Sequence, residues 1–448
     1  MAEKLSGKNI AIVGGGFTGL TAAYKMTQLG AKVTILEAGS VVGGLASGCK
    51  ILGAPVEKAY HFLYKTDRHM LRLLDELGLR DKLTYYKSSV STYYNNQLYP
   101  MMNPMDLIKF SPLKFNNRIR AGLTVLYLQR VKNWQKLAKI TAMEWLTKFA
   151  GKEVTSVMWE PLLRGKFDLY FDKITMSWLW GRIKQRVDSR DRKLKGEALG
   201  YIDGGFATIV NELVRKIETS NLGSIELNTP ISMLKHDPKS NTVKIMIKDK
   251  ITNFDGVLLT VSCNVAEKLL GTYKNSNPDY FERMNSIKYL DAAILLFATD
   301  KPITKYYWHN INTPNSPFVV FLSLTSLIGC DRFQNKHVYY IGDYIPHDHI
   351  HIKSSEEELT DSWFKSLQKM FPDFDRDSVL EKKVFRFKDA QHIVDLGYED
   401  KIPEHQTPCP EVYLCNFSQI YPMDRGTNYA VRDGFRMAEL FEKKYSQS

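Results

Sequence analysis

The first apolar run, Asn9 to Val13, is short and continuous, which is the pattern of a strand buried on both faces. Leu20 to Leu29 then keeps its apolar residues to one side of a helical period, and Lys32 to Leu36 is a second apolar run. The chain therefore opens as strand, helix, strand. Regular alternation stops there. Asp67 to Leu77 predicts a helix, and Tyr93 to Pro100 a strand pair turning at Asn95-Asn96. A Pro-punctuated stretch follows from Pro100 to Pro112, then a mainly helical pattern from Arg118 to about Gly181. The charge run Arg182 to Lys195 reads as an exposed loop or a helix-to-loop transition. Tyr201 to Ile217 predicts a Gly-Gly turn feeding an amphipathic helix. Strands are predicted at Ile225 to Leu227, Val243 to Ile247 and Val257 to Ser262. Asp291 to Tyr344 is strand-rich with Pro and Asn turns, which suits an antiparallel sheet; Val412 to Asn416 predicts a strand and Asn428 to Tyr445 a terminal helix.

The first turn carries chemistry. Gly14, Gly16 and Gly19 satisfy GxGxxG directly after a strand and directly before a helix. Gly14 permits the tight turn, Gly16 lets backbone approach a pyrophosphate, and Gly19 lets helix and strand pack closely. Phe17 and Thr18 lie between them at the helix N-terminus, where free N–H groups favour phosphate. Glu37 ends the second strand 18 residues after Gly19, where a carboxylate accepts hydrogen bonds from a ribose diol and disfavours a 2′-phosphate. The expectation is a dinucleotide site in an α/β, Rossmann-like domain.

At 448 residues the chain exceeds one ordinary domain, and 44% apolar with 25% charged residues is a globular composition. Lys and Arg number 61 against 49 Asp and Glu, a balance of +12 that favours a small anionic substrate or an acidic lipid surface. Nucleic acid is set aside for want of a zinc-knuckle spacing, an RNA-binding aromatic signature or a long basic run. Cys49, Cys263, Cys330, Cys409 and Cys415 form no CxxC pair and suit a reducing compartment. With no secretory leader pattern and no apolar window of spanning length, the expected place is the cytoplasm, peripheral to the inner face of the membrane if Met101 to Leu137 touches lipid. That basic, apolar segment suits either a membrane surface or the outer helix of a substrate domain whose apolar side is buried. Composition leaves the oligomeric state open.

Beyond Glu37, the segment Glu37-Ala38-Gly39-Ser40-Val41-Val42-Gly43-Gly44-Leu45 resembles the extended fingerprint of the flavin amine oxidase superfamily. Leu45 after the glycine pair is similar to the protoporphyrinogen oxidase-like and UDP-galactopyranose mutase-like branches. Tyr201 to Phe206 and Asp255 to Ser262 resemble segments by which these families return to the cofactor domain, and Ile420 to Tyr429 resembles the one that meets the flavin. Trp159 to Phe167 and Tyr93 to Pro100 are similar to the mutases instead.

The resemblance implies FAD as cofactor, with Ala38, Gly43, Gly44, Leu45, a strand near Ile231, Arg425, Asn428 and Tyr429 joining the first glycines around it. It implies a discontinuous FAD domain (1–85, 196–265 and 405–448), a mainly helical substrate or cap region (86–195) and an antiparallel-sheet substrate domain (266–404), hence an inserted α+β substrate domain. The activity implied is hydride transfer from a C–H or C–N substrate to flavin. The alternative is a mutase-like flavoenzyme acting on a nucleotide sugar or other glycan precursor.

Flavins carry redox chemistry themselves, so a catalytic triad is not required. The resemblance puts Tyr60-His61-Phe62 near the flavin ring, making His61 a catalytic candidate and Tyr60 a substrate contact; His61 equally suits a packed structural histidine. Glu57 and Lys58 read as solvated. Arg164 and Lys166 offer a basic wall for an anionic substrate, although Glu160 and Arg164 also stand at ion-pair spacing on a helix. Trp178, Trp180 and Tyr201 are candidate pocket aromatics. Arg425 could meet a cofactor phosphate, a substrate phosphate or a surface acid. Asp343, His347, Asp348, His349 and His351 form a polar cluster, but no partner acid is set by spacing and no metal is assigned.

Overall fold

The structure, a computed structural model, describes residues 4–191, 196–313 and 316–446. The chain opens with β1 (Asn9–Val13), α1 (Phe17–Gln28) and β2 (Lys32–Leu36), followed by α2 (Arg68–Leu77) and a hairpin of β3 (Val90–Tyr94) and β4 (Gln97–Pro100). A helical section contains α3 (Phe115–Arg130), α4 (Glu160–Phe167) and α5 (Met176–Asp188). Then come β5 (Gly196–Ile202), α6 (Phe206–Glu218), β6 (Gly223–Glu226) and β7 (Gly256–Leu259). The remainder holds β8 (Tyr289–Thr299), β9 (Trp308–Ile311), β10 (Val320–Ser323) and β11 (His337–Ile345). It ends with α7 (Glu356–Met370), β12 (Val379–His392), β13 (Val412–Leu414) and α8 (Thr427–Ser446).

Two sheets organise these elements. The first is five-stranded and parallel, in the order β6-β2-β1-β7-β13. Parallel strands are covered on both faces, which is why β1 and β7 read as unbroken apolar runs. Helices α1 and α8 approach closely because residue 434 is glycine; a Cβ there would lie 2.7 Å from Thr21 Cβ. The order of strands joins residues near 10, 35, 225, 257 and 413, so the α/β, Rossmann-like layer is assembled from distant parts of the chain.

The second sheet is seven-stranded, in the order β12-β8-β11-β10-β9-β3-β4. Strand β8 is buried along its whole length. Its Ala293, Leu295 and Phe297 pack with Trp363, Phe364 and Leu367 of α7, while Ile294 and Leu296 join the aromatic cluster on the opposite face. The sheet is mixed rather than purely antiparallel. Strands β9 and β3 pair in parallel, so the predicted Tyr93 to Pro100 hairpin extends the sheet instead of belonging to the helical section alone.

Three expectations are corrected here and one is narrowed. Of the two readings of the run from Arg182 the exposed loop is excluded and the end of a helix holds: α5 continues to Asp188, and Arg186 donates two bonds to Glu197 at 2.9 and 3.2 Å; residues 192–195 lie outside the described residues. Strand β7 stops at Leu259, because the Thr260 hydroxyl turns back to donate to the carbonyls of Val13 and Gly14. Glu57 is not solvated. It is 1% exposed, accepting the Phe206 N–H at the start of α6 and the Tyr201 hydroxyl. Finally, α3 buries Ala121, Thr124 and Leu128 and leaves Phe115, Ile119, Leu123, Leu126 and Tyr127 exposed, the reverse of a buried apolar face. Among the described residues no helix is long and apolar enough to cross a membrane.

Candidate cofactor cradle and active site

The turn after β1 is built so that only glycine fits at most positions. Gly14 has φ +108°, and a Cβ on Gly19 would stand 2.2 Å from the Gly14 carbonyl oxygen. Gly16 differs. Its nearest neighbour to a Cβ would be Gly44 Cα at 4.0 Å, so the backbone face at Gly16 is open. Helix α1 begins there with no side chain capping it and no acid in its first turn, leaving its free N–H groups for an anion.

The second glycine pair docks directly onto the first. The Gly43 N–H donates to the Gly15 carbonyl at 2.8 Å, and Gly43 and Gly44 have φ of +108° and +57°. A Cβ on Gly44 would meet Gly16 Cα at 3.2 Å. Glu37 closes the turn: its carboxylate accepts the N–H of Gly15 at 2.6 Å and of Gly39 at 2.7 Å. The chain then supplies an uncapped helix N-terminus, an open glycine face and an acid at the strand end, the donor set a dinucleotide requires. Phe17 contributes backbone to this turn, its ring packing edge-on against Phe206 at 6.1 Å. Ala38 is exposed beside Glu37. Ile231 is not on a strand: it lies in an irregular segment after β6, half-buried, where the N–H groups of Asn228 and Thr229 donate to Gly39 and Glu37 carbonyls.

From Leu45 a cavity of about 290 Å³ extends between helices α4 and α5, the seven-stranded sheet and the entrance to α8. Tyr60 and His61 line it on one side and Gly426 to Tyr429, the entrance to α8, on the other. His61 Nδ1 lies 2.7 Å from the Ala59 carbonyl, so Nδ1–H donates and Nε2 keeps its lone pair. Burial lowers the His61 pKa to about 4, opposed by that backbone bond, and the ring is neutral at neutral pH. Asn428 gives its side-chain oxygen to the N–H groups of His69 and Met70, capping α2, so it faces the cavity with the rest of its surface.

The opposite wall is cationic. Lys166, Arg182, Arg186 and Arg425 line the cavity with the acid Asp424 among them. Asp424 stands 3.3 Å from Lys166 Nζ and 3.6 Å from Arg182, and accepts the Trp178 indole N–H. Burial alone would push its pKa up, but Lys166, Arg182 and Arg425 hold it down to about 2. Arg425 donates to Gln391 at 3.0 Å and to the Tyr344 hydroxyl at 3.1 Å, and among the described residues it forms no salt bridge with a surface acid. Burial would likewise raise the Tyr344 phenol, yet Lys166 and Arg425 bring it below its ordinary value.

Lys166 and Tyr60 are thus at the cavity as expected of substrate contacts, but Arg164 is not. It points away, paired with Glu160 at 2.8 Å and stacked 3.5 Å over the Phe171 ring. Of the candidate aromatics Trp178 lines the cavity, whereas Trp180 is core and Tyr201 serves Glu57. Sequence reasoning missed Asp424, Tyr344 and the inward turn of Arg182. The one available signal was the acidic-basic pair Asp424-Arg425 directly before a helix.

The family described as flavin containing amine oxidoreductase matches residues 17–440, nearly the whole chain. The chain belongs to that family. This flavin-containing amine oxidoreductase is 25% identical over 350 residues to protoporphyrinogen oxidase 2 of Arabidopsis thaliana, covering 68% of this chain and 66% of that one. It is 26% identical over 328 residues to coproporphyrinogen III oxidase of Staphylococcus aureus, covering 66% and 68%. The match therefore spans about two thirds of the length of these curated relatives. In fold it is similar to a putative protoporphyrinogen oxidase from Exiguobacterium, with a TM-score of 0.77, 18% identity and coverage of 98% of this chain and 100% of the other. Putrescine oxidase bound to putrescine gives 0.73 at 14% identity, covering 97% and 98%. Family membership makes FAD the cofactor, and the cradle around Gly14 to Gly19, Glu37 and Gly43-Gly44 fits it.

Proposed function

We propose that this flavoprotein oxidises an organic substrate carrying acidic groups on a largely apolar body. The observation that supports this reading is the cationic wall of Lys166, Arg182 and Arg425 beside the entrance to α8. A cationic amine would meet Lys166, Arg182 and Arg425 with only the Asp424 carboxylate to offset them, a wall of net positive charge that opposes its binding. A carboxylate meets partners. The apolar remainder is accommodated by Leu162 of α4 and by Ile294, Trp308 and Val320 on the sheet side, and by a second cavity of about 430 Å³ that shares Trp159, Leu162, Ile183 and Arg186 with the first.

When bound, FAD supplies the hydride acceptor. The chain's own residues hold the substrate: Lys166 and Arg182 orient its acid ends, Tyr60 and the sheet residues shield it from water, and the neutral His61 offers the Nε2 lone pair to a proton. In this reading 1–85, 196–265 and 405–448 carry the cofactor, 86–195 the cap and 266–404 the substrate sheet, to which β3 and β4 of the cap region add two strands; every strand of the five-stranded sheet falls within the first set. Glu37, Ala38, Gly43, Gly44 and Leu45 line the cofactor path, with backbone from Arg425, Asn428 and Tyr429 at its flavin end.

The relatives named for protoporphyrinogen and coproporphyrinogen III make a carboxylated porphyrinogen the first compound to try. Anaerobic stopped-flow mixing of oxidised holoenzyme with coproporphyrinogen III is expected to bleach the flavin absorbance, and putrescine to leave it unchanged. Bleaching by putrescine and by no acidic compound would overturn the proposal.

The same reading includes contact with an anionic lipid surface through α3. Phe115, Ile119, Leu123 and Tyr127 repeat at helical spacing and are exposed, Leu123 at 60%. No Asp or Glu occurs between Asp106 and Glu144, while Lys109, Lys114, Arg130, Lys132 and Lys136 are exposed around that face. The inner side of α3 lines the second cavity through Ala121, Gly122 and Val125, so the helix separates that cavity from the exposed apolar face. Flotation with vesicles of phosphatidylcholine and phosphatidylglycerol is expected to carry the wild type and not Leu123→Asp; equal behaviour of both would refute the contact.

A further inference from the structure

The cationic wall of the cavity contains a phenol with a proton to give. Tyr344 lies near the end of β11, paired with Ala292 of β8, and the pleat turns both into the cavity. Arg425 donates to the Tyr344 oxygen at 3.1 Å and is itself fixed by Gln391 at 3.0 Å. Lys166 Nζ lies 5.1 Å from the centre of the Tyr344 ring, and its carboxylate partner Asp424 is 3.3 Å away. The Tyr344 oxygen thus already accepts a bond, while its O–H has no acceptor among the described residues. Tyr344 is only partly buried, so the side chain is reached from the cavity. A donor without a partner, set among cations, is an arrangement that receives an anion.

We infer that Tyr344 is a specificity-determining residue of this cavity, its O–H donating to one oxygen of a substrate carboxylate whose other oxygen meets the Lys166 ammonium. The assignment rests on the acidic-substrate reading proposed above and names the residue that recognises the acid. The groups facing the phenol are Lys166 on α4, Arg182 on α5, Asp424 and Arg425 before α8, and Tyr60 from the segment before α2. Burial, the largest influence, pushes the Tyr344 pKa up, as does Asp424; Lys166, Arg425 and Arg182 outweigh them and hold it below its ordinary value. A bound carboxylate reverses that balance. It offsets the same cations and accepts from the phenol only while the proton is present, so Tyr344 has a higher pKa in the complex than in the free protein. Affinity is therefore full below the free-state pKa and is lost as pH rises through it, and binding within that window takes up a proton. A cationic ligand does the opposite, favouring the phenolate and releasing a proton.

The probe is coproporphyrin III, which carries the carboxylates of coproporphyrinogen III on an already oxidised ring. Its binding to flavin-loaded protein is measured by calorimetry from about pH 7 to about pH 10, in pairs of buffers that differ in ionisation heat. The wild type is expected to bind more weakly as pH rises and to take up a proton in that range. Tyr344→Phe should bind about 10-fold more weakly near pH 7, with no further loss at higher pH and no proton uptake. With coproporphyrinogen III it should raise KM by a similar factor and leave kcat near that of the wild type. The variant keeps the aromatic ring, and an unchanged flavin spectrum reports that the cavity is intact. Tyr340→Phe, on the same strand but donating to the Glu57 carbonyl rather than lining the cavity, should keep the wild-type pH dependence. Equal affinity and pH dependence in wild type and Tyr344→Phe, or proton release on binding, would overturn the role of Tyr344 and leave the acidic-substrate reading standing. Absence of binding by the wild type at every pH would overturn both that role and a carboxylated porphyrin as the ligand.

Discussion

Gly16 and Gly19 belong to one motif, yet the structure assigns them different duties, and substituting each separates cofactor binding from folding. At Gly16 the backbone is extended (φ −76°), and the nearest atom to a new Cβ is 4.0 Å away. Gly16→Val should therefore fold: the stability of the apoprotein is expected within about 0.5 kcal/mol of wild type. The added side chain occupies the face against which the pyrophosphate lies. Losing two charge-assisted N–H bonds at about 1.5–3 kcal/mol each removes roughly 3–6 kcal/mol of binding, a weakening of about 10² to 10⁴. At Gly19 a Cβ would overlap the Gly14 carbonyl at 2.2 Å, so Gly19→Ala must displace α1 from β1. Overpacking of that kind costs about 1–3 kcal/mol of folding stability. The two effects are read by FAD fluorescence quenching on apoprotein and by urea unfolding of the same samples. Wild-type flavin affinity in Gly16→Val, or apoprotein destabilisation as large as that of Gly19→Ala, would refute the assignment of the open face to the cofactor.

Asp424→Asn should lower stability at neutral pH by about 2 kcal/mol, the equivalent of a carboxyl held from 3.8 to about 2. Because that folded-state pKa is depressed, the contribution is full above about pH 3.8 and is lost as pH falls toward 2; urea midpoints for wild type and variant should differ at pH 7 and converge in acid. His61 stays neutral down to about pH 4, so its titration should leave no inflection in the rate of flavin reduction between pH 5.5 and 8; an inflection near 6.5 that vanishes in His61→Asn would contradict the buried, neutral ring. Lys166→Ala should raise KM for an acidic substrate about 10-fold with little change in kcat, while Arg164→Ala leaves both unchanged; steady-state kinetics on the pair distinguishes the inward from the outward cation. Glu57→Ala removes the acceptor for Phe206 N–H and the Tyr201 hydroxyl in a buried place, and should cost about 1–3 kcal/mol of urea stability without altering flavin affinity.

The opening βαβ unit and the cofactor it holds were legible in the amino-acid order because every interaction that defines them is local. Gly14, Gly16, Gly19, Glu37, Gly43 and Gly44 lie within about 30 residues, and their roles follow from backbone conformation and close approach, which residue type alone dictates. Periodicity likewise located β1, β2, α6 and α8 to within a few residues, since buried runs and amphipathic faces are written along the chain. What only the tertiary structure decided is which charges are inside. Lys166 and Asp424 are 258 residues apart, Glu57 and Phe206 149, and His347 and Asp291 56. A charged residue at a given position carries no mark of the partner that will neutralise it, so Glu57 read as solvated, and Arg164 stood open between a ligand contact and the Glu160 ion pair that it makes. The exposed apolar face of α3 was hidden for the same reason. Its sequence pattern states that one side is apolar, and only the packing of the rest of the chain leaves that side uncovered.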